Sequence, residues 1–128
     1  MNNKEKKRFS LIARIKSTNH AWRGLGILLR TTHNFWMEIM LIASFAVLGF
    51  ILCISIYEWL ALIISLGFVL VSETLNTAFE IDIDLTSPEY HPYARDAKDV
   101  AAGAVLLSAF FAFLVGAIIF LPKILAVL

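Results

Sequence analysis

The sequence has very little of the charge that a water-soluble enzyme carries on its surface. Only 16% of its 128 residues are charged, whereas 59% are hydrophobic, a balance far more apolar than that of a soluble globular domain. The one cysteine, Cys53, excludes an internal disulfide and a four-thiolate metal site. The net charge of +1 is too small for a typical nucleic-acid module. We therefore expect one integral membrane domain over residues 1–128, with no nucleic acid as a partner.

Motifs of the common nucleotide-binding folds are also missing. No G-x-x-x-x-G-K-[ST] loop occurs, and Gly24-x-Gly26 lacks the third glycine of a dinucleotide fingerprint. The three histidines are too scattered for an obvious zinc site. These absences exclude the ordinary nucleotide-binding folds.

The few charges are sorted by sign along the chain. Residues 1–30 hold eight cations against one acid, formally +7, and residues 73–99 hold seven acids against two cations, formally −5. Residues 8–30 alternate apolar and basic side chains at roughly helical spacing. This pattern predicts an amphipathic helix on an anionic membrane surface, within about 1–35. The alternative is a polar leader that only sets the topology.

Three uncharged runs predict three transmembrane helices. Residues 39–57 and 100–121 are each long enough, at about 1.5 Å per residue, to cross a hydrocarbon layer of about 30 Å. Residues 60–72 are too few to cross alone, so the second span must include Glu73. We predict spans over about 36–57, 59–84 and 97–121, with a turn at residues 57–59.

The cation bias predicts the orientation of these spans. It places the amino terminus in the cytoplasm, so the acidic segment is also cytoplasmic and the carboxyl terminus lies outside. We expect a multi-pass protein of the plasma membrane. A bundle of only three helices with a polar face needs partners to cover that face, so an oligomer is expected.

Carboxylates inside a hydrocarbon layer are costly and suggest function. On a helix counted from Trp59, Glu73 lies about 21 Å along the axis, within the membrane, and Glu80 about 32 Å, near its inner face. One helix face within a sector of about 80° carries what we call the acidic stripe: Glu73, Asn76, Glu80 and Asp84. Such oxygen donors suit Mg²⁺. The alternative, that acids only cap and solvate a helix end, is credible for Asp84 but poor for Glu73.

Hydrogen-bonding groups and a cation follow the acidic stripe. The loop Ser87-Pro-Glu-Tyr-His-Pro92 is held in a turn by its two prolines. Lys98 is a cation among carboxylates, and it can hold a phosphate as a point charge. Asp96 or Asp99 can instead cap the third helix.

Two segments together resemble the signature of the small prokaryotic diacylglycerol kinase family, which includes undecaprenol kinases: Glu73-Thr-Leu-Asn-Thr-Ala-Phe-Glu80 with Ile-Asp-Ile-Asp84, and Ala97-Lys-Asp-Val-Ala-Ala-Gly103. The resemblance extends over nearly the whole chain from Trp22. It implies an all-α membrane homotrimer, with an amphipathic surface helix and three transmembrane helices per protomer. It also implies cytoplasmic active sites between protomers, which transfer the γ-phosphoryl of MgATP to diacylglycerol or undecaprenol.

The resemblance further implies a role for each site residue. Glu73 resembles the general base for the lipid hydroxyl, supported by Asn76, and Glu80 resembles the Mg²⁺ ligand. Lys98 is expected to hold the β- and γ-phosphates. The remaining nucleotide contacts are expected from Arg14, Asp84, Glu89, Tyr90, His91 and Asp99. The lipid substrate is expected to meet Glu73, Glu38 and Trp36.

The chain departs from the family's pattern at three positions: at His33 the family usually has an arginine or similar group, at Trp36 it often has an arginine, and the third position is Thr32. Thr32 stands where the family usually has the glutamate that is its second metal ligand. Thr32 can bind through its hydroxyl or a water, Glu38 can substitute, or metal affinity is lower. An impaired relative that acts as a lipid- or nucleotide-binding scaffold is therefore the alternative function. A small channel or transporter would explain the membrane carboxylates but not Lys98 and Asp99.

Overall fold

The computed structural model describes residues 10–127, apart from the side chain of Thr31. Over that range the chain is helical, without strands: α1 (Leu11–Thr31), α2 (His33–Ile51), α3 (Ile56–Thr86) and α4 (Pro92–Val127). By length and composition, α2, α3 and α4 can each cross a membrane. The predicted all-α fold with three spans is confirmed. The first basic residues of the predicted surface helix, up to Phe9, lie outside the described residues.

The core of the protomer lies between α3 and α4. It is built from Leu62, Leu66 and Val69 of α3 and from Ala112, Ile119 and Phe120 of α4. Helix α2 joins this core through Phe45, whose ring stacks on Phe120 with centroids 5.7 Å apart. Many other large apolar side chains are exposed in the protomer, as suits helices whose surroundings are lipid or further protein.

The turn between α2 and α3 lies at residues 52–55, earlier than the predicted turn at 57–59. Cys53 adopts a positive φ of 47° there, and Ser55 and Glu58 then form a capping box that starts α3. Each side chain bonds the other residue's backbone N–H, which satisfies two donors at the helix start. The first span consequently ends at Ile51 rather than at Tyr57.

Helix α4 is longer at both ends than the predicted 97–121. It begins at Pro92, because proline has no N–H to leave unpaired at a first helical position. Asp96 and Asp99 therefore both lie within the helix, and the alternative that either one caps it is wrong. At the other end α4 continues past Pro122, and Lys123 Nζ lies 3.2 Å from Glu58 Oε2. This ion pair ties the end of α4 to the start of α3.

Helices α1 and α2 meet at a one-residue break. Thr32 is extended there (φ −111°, ψ 106°), and its backbone N–H donates to the carbonyl of Leu28. Leu28 is buried, whereas Ile12, Ile15 and Trp22 earlier in α1 are exposed. The second half of α1 thus packs on the protomer, while its first half presents apolar side chains outward.

Candidate active site

The acidic stripe runs along the second half of α3, from buried to exposed surroundings. Glu73 retains only 3% of its accessible surface and Asn76 only 8%, whereas Glu80 and Asp84 are exposed. The 31 residues of α3 span roughly 46 Å, which exceeds a hydrocarbon thickness of about 30 Å. The helix can therefore carry Glu73 within a membrane and Asp84 beyond it.

The Glu73 carboxylate interacts electrostatically with two others, one from α2 and one from α3. Glu38 of α2 and Glu80 of α3 both lie close enough to Glu73 for their charges to act on it. Asn76 Nδ2 donates to Glu80 Oε1 at 3.3 Å. Asn76 Oδ1 and Glu38 Oε2 are buried and accept no hydrogen bond in the structure. Buried acceptors without donors are costly, so this region is suited to take a hydroxyl, a water or a cation.

Oxygen donors in this region fit a magnesium ion in part. Among residues 10–127, no three His, Cys, Asp or Glu side chains are arranged to hold a metal by themselves. Glu80 and the carbonyl oxygen of Asn76 nevertheless form a pair of hard donors, and Mg²⁺ commonly takes one or two protein ligands beside phosphates and waters. Thr32 is half-buried and makes no capping hydrogen bond with its side chain. Its hydroxyl is thus not committed to the start of α2.

A polar pocket of about 300 Å³ lies between the end of α3 and the start of α4. We call it the α3–α4 pocket. Its lining includes six of the predicted nucleotide-binding residues: Asp84, Glu89, Tyr90, His91, Lys98 and Asp99. The residues come together because a short loop returns the chain from α3 directly into α4. The structure therefore brings six of the seven predicted nucleotide contacts into one pocket.

Ion pairs organise the charges of the α3–α4 pocket. Lys98 Nζ forms a salt bridge with Asp84 across the two helices, and Arg95 Nε lies 3.7 Å from Asp99 Oδ2 within α4. The pocket thus presents two cations among three acids. Arg95 is a pocket residue that was not predicted from the sequence, although its position three residues before Lys98 places both cations on one helix face.

The predicted site residues fall into two separate parts of the protomer. Glu73, Asn76 and Glu80 do not line the α3–α4 pocket, although Asp84 lies only four residues beyond Glu80, roughly 6 Å along the axis. Arg14 is exposed near the start of α1 and does not line the pocket either. A single protomer therefore does not bring the whole predicted site together.

Two apolar spaces lie beside α3, although no residue of the acidic stripe lines either of them. A groove of about 450 Å³ lies between α1 and α3, with Leu25 and Leu28 on one side and Thr74 and Thr77 on the other. A second cavity of about 140 Å³ is lined by Glu38 together with apolar residues of α2, α3 and α4. Such spaces can hold hydrocarbon beside polar groups.

Of the two predicted lipid contacts on α2, only Glu38 lines either of these spaces. Trp36 lines neither, and its indole Nε1 instead donates to the carbonyl of Leu29 at 2.8 Å.

Comparison with known proteins identifies relatives over most of the chain. Residues 19–120 match the family model of prokaryotic diacylglycerol kinase. The chain is 40% identical over 108 residues to the undecaprenol kinase of Bacillus subtilis (strain 168), which covers 84% of this chain and 88% of that protein.

Two diacylglycerol kinases are also similar. The protein from Synechocystis sp. (strain PCC 6803) is 34% identical over 113 residues, or 88% of this chain and 65% of its own length. The Escherichia coli (strain K12) protein is 30% identical over 94 residues, or 73% and 77%. With three helices long and apolar enough to cross a membrane, a family match over most of its length and similarity to these three lipid kinases, the chain belongs to the prokaryotic diacylglycerol kinase family and is a membrane lipid kinase.

Proposed function

We propose that the protein transfers the γ-phosphoryl group of MgATP to the hydroxyl of a membrane lipid alcohol, with undecaprenol as the preferred acceptor. The observation that carries the proposal is the α3–α4 pocket, which six polar residues expected to bind a nucleotide line together. The pocket lies at the end of α3, the same helix on which Glu73 is buried. The choice of acceptor rests on the Bacillus subtilis undecaprenol kinase, at 40% identity. Diacylglycerol is the second candidate, because the relatives from Synechocystis and Escherichia coli are named diacylglycerol kinases.

On the nucleotide side, the proposal uses the cation that spans the pocket. Lys98 is held by Asp84 across the gap between α3 and α4, so its ammonium group is already placed at the pocket before a ligand arrives. A triphosphate competes with Asp84 for the ammonium group as a more highly charged partner. The open loop residues Glu89, Tyr90 and His91 supply contacts for the rest of the nucleotide.

On the lipid side, the proposal uses the burial of Glu73. The acceptor hydroxyl enters from the bilayer and donates a hydrogen bond to the Glu73 carboxylate. Its oxygen then bonds to the γ-phosphorus as the bond from that phosphorus to the leaving oxygen of ADP breaks, and the hydroxyl proton passes to Glu73. Asn76, one helical turn beyond Glu73, donates its amide Nδ2–H to Glu80 Oε1.

Magnesium enters the proposal as the ion that accompanies ATP. Glu80 and Asn76 Oδ1 would hold it, and Thr32 occupies the position of the family's usual second ligand. When bound, the ion would neutralise charge on the phosphate oxygens. The unpartnered Asn76 carbonyl oxygen supports this assignment, because a cation would satisfy it.

The proposal includes a homotrimer whose sites are shared between protomers. Within one protomer, only Asp84 of the acidic stripe lines the α3–α4 pocket, whereas Glu73, Asn76 and Glu80 lie outside its lining. A neighbouring copy that packs on the exposed face of α3 would bring a second set of residues to the stripe. The excess of cations in residues 1–30 supports a cytoplasmic amino terminus. That orientation would open the pocket to cytoplasmic ATP in the plasma membrane and leave the carboxyl terminus outside.

An acceptor assay tests the proposal directly. The purified protein in mixed micelles is given Mg²⁺, γ-labelled ATP and either undecaprenol or diacylglycerol, with the Glu73→Gln variant as the inactive control. We expect labelled lipid phosphate with both acceptors and a several-fold higher kcat/KM for undecaprenol. A higher kcat/KM for diacylglycerol would reverse the acceptor assignment. ATP binding without transfer to either lipid would instead indicate the scaffold function.

A further inference from the structure

We propose that Arg95 is a second phosphate-binding cation of the α3–α4 pocket, acting beside Lys98 on the triphosphate of ATP. This inference rests on the proposed function, since it requires that the pocket binds ATP. It adds to the pocket a contact that the sequence pattern did not predict.

Arg95 lies on the same wall of the pocket as Lys98. Arg95 and Lys98 lie three residues apart on α4, so their side chains project from the same helix face. Both line the α3–α4 pocket. An anion that reaches Lys98 is therefore within range of a second cation on the same wall of the pocket.

The guanidinium group of Arg95 has donors suited to bind phosphate. Arg95 contacts Asp99 through Nε at 3.7 Å, which is longer than a hydrogen bond. This contact orients the side chain but leaves the terminal Nη–H donors for another acceptor. The planar guanidinium fork matches phosphate oxygens in pairs, which an ammonium group cannot do. Lys98, by contrast, is already in a salt bridge with Asp84.

The α3–α4 pocket contains more acids than cations. Its lining contains three acids, Asp84, Glu89 and Asp99, against the two cations Arg95 and Lys98. Without Arg95, one ammonium group would face three carboxylates, and a triphosphate would be repelled by the excess of negative charge. Arg95 therefore lowers the electrostatic cost of placing a polyanion in this pocket.

The experiment compares Arg95→Gln with Arg95→Lys, with Arg23→Gln as a matched control that removes a cation from exposed α1 outside the pocket. We expect Arg95→Gln to raise the KM for ATP and the Kd for a non-hydrolysable ATP analogue by about tenfold or more. The KM for the lipid and the melting temperature should stay close to wild type. Arg95→Lys should recover part of the affinity, because it restores the charge but not the fork.

Adenosine binding provides the readout that separates a phosphate contact from a general structural effect. Arg95→Gln should leave the affinity for adenosine unchanged while it weakens the binding of the ATP analogue. Unchanged affinity for the ATP analogue, or an equal loss for adenosine, would overturn the role of Arg95. The Lys98→Ala variant separates a failure of the Arg95 proposal from a failure of the proposed function. If that variant also binds the ATP analogue as well as wild type, the pocket is not the nucleotide site and the proposed function itself fails.

Discussion

The indole Nε1 of Trp36 donates a 2.8 Å hydrogen bond to the backbone carbonyl of Leu29, across the break between α1 and α2. Leu29 lies in the last turn of α1, where carbonyls lack a partner within their own helix. Thr32, between the two residues, is extended. The first turn of α2 thus satisfies the end of α1 with a side chain, and this bond holds the angle at which the two helices meet.

Replacing Trp36 by phenylalanine should loosen this junction. The ring is kept but the N–H donor is lost, and one such bond contributes about 1 kcal/mol. We expect faster amide hydrogen exchange in the last turn of α1 and a higher KM for the lipid, because α1 forms one wall of the groove beside α3. Trp22→Phe, on the exposed part of α1, is the control. Identical exchange in the two variants would show that the Trp36 bond does not hold the junction.

Replacing Glu73 by glutamine should remove the base and leave the fold intact. The amide is nearly the same size but cannot take the hydroxyl proton, so we expect kcat to fall by about 10²- to 10⁴-fold. The Kd for the ATP analogue should not change, because Glu73 does not line the α3–α4 pocket. Turnover numbers and analogue binding are measured on the same preparation.

Two comparisons make the Glu73 result specific. Asp82→Asn changes an exposed acid of α3 that lies outside the acidic stripe and does not line the pocket, and it should retain wild-type turnover. If Glu73→Gln retains most of its activity, the base lies elsewhere. Glu38 is then the first residue to test, since its buried Oε2 accepts no hydrogen bond in the structure.

Replacing Thr32 by glutamate should raise the affinity for magnesium. The Thr32 side chain makes no capping hydrogen bond, so its loss does not remove a cap from α2, and a carboxylate is a stronger Mg²⁺ ligand than a hydroxyl. We expect a lower Mg²⁺ concentration at half-maximal activity. Asn34→Glu adds the same charge two residues away and is the control. An unchanged Mg²⁺ requirement in Thr32→Glu would place Thr32 away from the metal.

The sequence predicted the helices better than their ends. The uncharged runs predicted three spans, and helical periodicity predicted that Glu73 and Asn76 share one face of α3. That both side chains are already buried within a single chain was not predicted. The turn before α3 was misplaced, although the capping pair Ser55 and Glu58 was visible as S-x-x-E. The first span was predicted from its lack of charge, and residues 39–57 are all uncharged. This run includes the turn and the first residues of α3, so charge alone could not locate the end of α2.

The grouping of residues in the α3–α4 pocket follows from the sequence, whereas the separation of Glu73, Asn76 and Glu80 from that pocket does not. The loop after α3 and the first turns of α4 are close in sequence, so the members of the α3–α4 pocket could be grouped without a structure. The contact between Trp36 and Leu29 depends on the angle between two helices, which no periodicity specifies. The electrostatic contact of Glu38 with Glu73 depends on how α2 packs against α3, and it was likewise not visible in the chain.

Mixing two inactive variants should restore activity if sites are shared between protomers. Glu73→Gln lacks the proposed base, and Lys98→Ala lacks the phosphate-binding cation, so each homotrimer should be inactive. In a trimer assembled from equal amounts of both, a site has an intact Glu73 from one protomer and an intact Lys98 from its neighbour in about a quarter of cases. We therefore expect roughly a quarter of wild-type turnover after co-expression or after dissociation and reassembly in detergent.

The control mixes Glu73→Gln with the double variant Glu73→Gln/Lys98→Ala, which provides no intact base and should stay inactive in any assembly. Mixing the two single variants after they have been reconstituted into separate vesicles should also give no activity, because protomers then cannot exchange. If the co-assembled single variants remain inactive while cross-linking shows that they form trimers, each protomer must complete its own site. Glu73 and the α3–α4 pocket of one chain would then have to approach each other during turnover, by a movement of the second half of α3 against α4.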